Sequence, residues 1–70
     1  MFTTDLLAAT SLDALRDRIR QADDRTVLNA GACIAAEIDG CYAMGVKVSQ
    51  WDADRFDILY AESVRRGSFA

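Results

Sequence analysis

Few residues in this 70-residue chain carry chemistry, and their placement narrows what they could do. Glu37 is the most unusual. It lies beside Ala30, Gly31, Ala32, Cys33, Ile34, Ala35 and Ala36, a run apolar on nearly every helical face, so the spacing predicts burial. A buried carboxylate needs a charged partner or a raised pKa, which makes Glu37 either an interface ion pair or the remnant of a site. Asp52, Asp54 and Asp57 cluster where a second helical pattern begins. Three carboxylates on one exposed face do not close a coordination shell, and their simpler role is to oppose the positive end of that helix. Cys33 and Cys41 stand without any histidine, so a zinc site would have to be completed by carboxylates. On one continuous helix the two thiols would lie about 12 Å apart along the axis, beyond the Cα spacing a disulfide spans. They read as free thiols of a reducing compartment, and the chain is expected to be cytoplasmic. Arg16, Arg18, Arg20 and Arg25 are interleaved with Asp13, Asp17, Asp23 and Asp24, a salt-laced helix face. No metal or cofactor is expected.

The elements that position these residues follow from hydrophobic spacing. Thr10-Ser11-Leu12-Asp13 supplies a capping hydroxyl and an early carboxylate. Leu12, Leu15, Ile19 and Ala22 then recur at three- and four-residue steps. No proline interrupts the sequence, which predicts a single long helix from Thr10 to about Ile38 or on to Met44, a first element over 11–44. Some 28 residues make a rod of roughly 40 Å, against about 30 Å for the diameter of a compact body of this length. Asp39-Gly40 and Gly45 are alternative endings, the second favoured because Cys41, Tyr42 and Met44 continue the apolar surface. Val46-Lys47-Val48 is a connector, and Ser49-Gln50-Trp51-Asp52 repeats the capping pattern. The second helix is expected over 50–66, with Phe56, Leu59, Tyr60 and Val64 as its apolar stripe and Gly67 beyond its end. Met1 to Ala9 is a short arm or single turn. The fold class is all-α, one domain over 1–70, and the excess apolar surface of the long arm predicts a helical dimer or a complex with a partner.

Net charge is −3, with eight basic residues spread among eleven acidic ones, which argues against a nucleic-acid partner. The most apolar window, Val27 to Met44, contains Asn29, Glu37 and Asp39 and does not read as a membrane span.

The order of these segments resembles the all-helical chorismate mutases. Ser11 to Arg25 is similar to the leucine-rich opening of that family's long first helix. Ala36-Glu37-Ile38, Gly40-Cys41-Tyr42 and Val48 through Asp52 to Arg55 follow in the family's order at nearly its spacing, so the resemblance covers roughly residues 11–66. It implies an intertwined helical dimer and a dicarboxylate ligand such as chorismate or isochorismate, held by cationic side chains without covalent catalysis. Arg16 matches the first-helix arginine, and Asp52 and Arg55 match the aspartate and arginine of the second-helix motif. Several family features are missing. No arginine occurs between Arg25 and Arg55, Ala43 stands where a lysine belongs, and Lys47 is the only lysine. The family's third helix has no counterpart. Losing a preorganised donor costs about 3–4 kcal/mol of transition-state stabilisation. The resemblance therefore implies a degenerate, non-catalytic homodimer or partner subunit of a chorismate-related or secondary-metabolite pathway. The alternatives are an isomerase or lyase acting through Arg16, Lys47, Arg55 and Asp52, and an unrelated helical interaction module built on Trp51, Phe56 and Tyr60.

Overall fold

Four helices follow one another in the computed structural model, which describes residues 1–69: α1 (Thr3–Leu7), α2 (Leu12–Gln21), α3 (Asp24–Met44) and α4 (Gln50–Arg65). Each of the three longer helices starts at a side-chain cap. Ser11 accepts from the Ala14 N–H at 3.1 Å, Asp23 from Thr26 at 3.0 Å and Ser49 from Asp52 at 3.1 Å. Such caps satisfy backbone donors that a helix start otherwise leaves free.

The cap at Asp23 corrects the expectation of one helix over 11–44. Ala22 (φ −88°, ψ 146°) and Asp23 (φ −74°, ψ 167°) are both extended, so the chain leaves α2 and begins α3 in a new direction. The physical reason is local. The Asp23 carboxylate offers the backbone an alternative to continuing the helix, and burying Ala22 rewards the bend. The molecule measures 35 × 29 × 17 Å with a radius of gyration of 11.8 Å. The 21 residues of α3 span about 31 Å, so no rod outruns the body and the length-based argument for an intertwined dimer fails.

The other boundaries agree with the sequence reading. α3 passes through Gly40 and closes at Gly45, whose φ of 69° is left-handed. There the Val46 N–H donates to the Cys41 carbonyl at 2.8 Å. α4 ends the same way, with Gly67 at φ 75° and the Ser68 N–H donating to the Ser63 carbonyl at 2.9 Å. The N-terminal residues form a single turn, α1, which drives Leu6 into the core.

The core consists of Leu6, Ala9, Leu15, Ile19, Ala22, Val27, Ala30, Ile34 and Leu59. Here α4 departs from its expected stripe. Its inward edge is Arg55, Leu59 and Ser63, whereas Tyr60 and Val64 are exposed and Phe56 is half-buried. The helix is rotated so that its aromatics lie along the outer seam with α3. The run from Ala30 to Ala36 is likewise not buried all round: Ala30 and Ile34 are inside, while Ala32, Cys33 and Ala36 face out.

Candidate functional site

The residues expected to hold a dicarboxylate are not brought together. Arg16, on the exposed face of α2, pairs with Asp13 one turn away at 3.3 Å. It edges a shallow depression between α2 and α4 that also involves Ile19, Arg20, Ile58 and Arg65. Lys47 is exposed in the α3–α4 connector and forms no ion pair among the described residues. Arg55 is buried on the inner edge of α4, where its Nη2 pairs with Asp52 and lies 3.7 Å from Glu37 Oε2. Its guanidinium carbon stands 5.2 Å from the Trp51 ring centroid, a cation–π contact. The Arg55 Nε is buried without a hydrogen-bond partner, but the side chain lines neither the depression beside Arg16 nor those along the α3–α4 seam. Two carboxylates already neutralise this cation, so it works as a tie between α3 and α4.

Glu37 is a further correction. Its side chain is 58% exposed, not buried, because this face of α3 is left uncovered and the carboxylate needs only to lean toward Arg55. Cys33 and Cys41 are free thiols. Among the described residues no group of three or more His, Cys, Asp or Glu side chains could hold a metal ion. Among the same residues no helix is long and apolar enough to cross a membrane.

What the structure does build is a groove along the α3–α4 seam. Its central part, about 270 Å³, has a floor of Gly31, Ala32 and Ala35 and walls that include Phe56, Tyr60 and Phe69. α4 packs on α3 at ordinary contact distance here, and a Cβ on Gly31 would stand 3.7 Å from the Leu59 Cβ. The aromatics form a row, with Phe56 and Tyr60 stacked at 5.7 Å between centroids and Tyr60 and Phe69 at 5.5 Å. Through Ala35 and Phe56 the groove continues toward Ile38, Asp39, Tyr42, Ala53 and Asp57. In the other direction Leu28 links it to Arg25 and Asn29. The sequence signal for this groove is the coincidence of small residues at 31, 32 and 35 with aromatics at 56 and 60, which spacing alone presents as two separate buried stripes.

Arg66 reads from the sequence only as a cation opposing the dipole of α4. In the structure it reaches back across the fold, donating to the carbonyls of Ala22 at 2.8 Å and Ile19 at 2.9 Å and to Asp24 Oδ1 at 3.0 Å. It thereby caps the end of α2 and locks the bend that begins α3. Glu62 lies beside it, and the hydrogen bond from Arg65, assisted by the charges of Arg65 and Arg66, holds its carboxyl below the ordinary carboxylate value against the opposing effect of burial. Asp23 is likewise lowered, by hydrogen bonds from Thr26. Both shifts belong to the helix junction and stabilise the fold; neither lies in the groove.

No family model, no curated protein and no solved structure matches this chain.

Proposed function

We propose that this chain is a non-catalytic helical protein that works by docking another protein surface along its α3–α4 groove. The observation carrying this reading is the contrast between its cations and its groove. Arg16 and Arg55 are engaged with neighbouring carboxylates and stand apart from Lys47. The groove is open, aromatic-walled and nearly free of polar lining. A dicarboxylate requires at least two converging cations, whereas an apolar groove with a small-residue floor suits a helix packed at close range. This agrees with the degenerate reading of the chorismate-mutase resemblance. It assigns the protein no isomerase or lyase activity.

The test has two parts. Purified protein given chorismate or isochorismate is expected to form prephenate or pyruvate no faster than buffer alone. A photoreactive phenylalanine analogue placed at Tyr60 is expected to form protein–protein adducts in the cell, while the same probe at Cys33, exposed on α3 and turned away from the groove, does not. Turnover that disappears on Arg16→Ala or Arg55→Ala exchange would overturn the reading, as would equal labelling from both positions.

A further inference from the structure

The ends of the groove carry opposite charge. At one end stands Arg25, and at the other stand Asp39 and Asp57. Among the described residues none of the three forms an ion pair. The remaining charges at the Arg25 end, Asp24 and Arg66, are paired with each other. At the acidic end Asp54 accepts from Gln50 at 2.8 Å, and Lys47 precedes the groove residue Val48. Arg25 and Asp39 are both exposed on α3, and fourteen residues of helix separate them by about 21 Å. Ala32 lies midway between them.

We infer that the occupant of the groove is a second copy of this chain, related by a two-fold axis near Ala32 that runs the two α3–α4 faces antiparallel. This rests on the docking reading above and names its partner. A two-fold axis at that point places Arg25 of each copy opposite the Asp39 and Asp57 end of the other, so each free charge meets an opposite one twice. The same operation sets the projecting Tyr60 of one copy against the Gly31, Ala32 and Ala35 floor of the other, and Tyr42 toward the Arg25 end. Protrusion therefore meets recess, as an isologous interface requires. A stable interface takes about 800 Å² per partner, roughly a sixth of the 4606 Å² the chain exposes.

A charge exchange tests the arrangement, read as the mass in solution by sedimentation equilibrium from micromolar to millimolar concentration. The wild-type chain is expected to reach twice its 7.7 kDa mass. Arg25→Glu alone and Asp39→Arg alone each set like charges opposite one another twice and are expected to raise the dissociation constant about tenfold or more. The double variant restores the pairing and the wild-type mass. An equimolar mixture of the two single variants also restores it, because a mixed dimer pairs the two introduced charges with each other across one contact and the native Arg25 and Asp39 across the other. Circular dichroism on each variant separates loss of pairing from loss of fold, since both positions are exposed. A chain that stays at 7.7 kDa throughout, or a mixture that fails to re-form dimers while the single variants stay folded, overturns the inference. If Tyr60 adducts with a different protein persist in that case, the docking reading survives and only the second copy is excluded.

Discussion

Replacing Arg66 by alanine should cost this fold more than any other surface-proximal charge change. Its side chain is only 13% exposed and donates to two carbonyls of the α2 terminus and one carboxylate on α3. A hydrogen bond from a charged group contributes about 1.5–3 kcal/mol. The Ile19 and Ala22 carbonyls lie at a helix end, where water recovers part of the lost bonding, so the three together should be worth about 2–3 kcal/mol rather than their sum. For a domain of this size that lowers the melting temperature by about 10–20 °C, a large fraction of a stability expected at about 4–10 kcal/mol. The assay is urea and thermal unfolding followed by circular dichroism in the helical band. Arg66→Lys should recover part of the loss, because a point charge cannot serve two carbonyls and a carboxylate at once. Arg65→Ala is the control: its side chain is 71% exposed and its pair with Glu62 is a surface contact, worth less than about 1 kcal/mol. A loss for Arg66→Ala below about 0.5 kcal/mol, or one equalled by Arg65→Ala, would refute the claim that this residue locks the helix junction.

Three further outcomes follow from the same geometry. Ile34→Ala removes a fully buried side chain between α3 and the rest of the core and should destabilise by about 3 kcal/mol in urea unfolding. Asp23→Ala deletes the cap at which the chain turns, and should lower the urea midpoint while leaving the helix content by circular dichroism nearly unchanged. Glu62 has a folded-state pKa below its ordinary value of 4.5, so its contribution to stability is full above that value and is lost as pH falls through the lowered one. Glu62→Gln should thus be less stable than wild type at neutral pH, with the difference closing in acid; a difference that widens on acidification would contradict this.

Much of the local structure is legible in the residues themselves. The Ser11 and Ser49 caps and the Gly45 and Gly67 exits stand where hydroxyl, carboxylate and glycine placement put them. The bend at Ala22-Asp23 is not legible from the apolar spacing, which runs without interruption through Leu12, Leu15, Ile19 and Ala22. Its signal is Asp23 with Thr26 three residues later, a cap in the middle of a charged run that also reads as solvated surface. What decides between those readings is a contact 44 residues away, Arg66 on the Ala22 carbonyl, and no local pattern contains it. The rotation of α4 has a similar origin. Phe56, Tyr60 and Val64 are the more apolar stripe, yet Arg55 can enter the interior because Asp52 and Glu37 neutralise it, and Ser63 is small enough to lie against its neighbours. That exchange leaves aromatics on the seam and creates the groove. The candidate site read from the sequence is divided for a related reason: Asp52 and Arg55 stay paired on α4, but Arg16 lies on the exposed face of α2 and Lys47 in the connector.

Whether the groove is covered in solution can be measured directly from alanine methyl signals in the presence of a soluble paramagnetic probe. Ala32 in the groove and Ala61, which edges the depression between α2 and α4, are both exposed in a single chain. As protein concentration rises, the Ala32 methyl should become protected from the probe while that of Ala61 remains broadened. Equal broadening of both at every concentration, or protection of Ala61 instead, would contradict the assignment of the α3–α4 groove as the working surface of this protein.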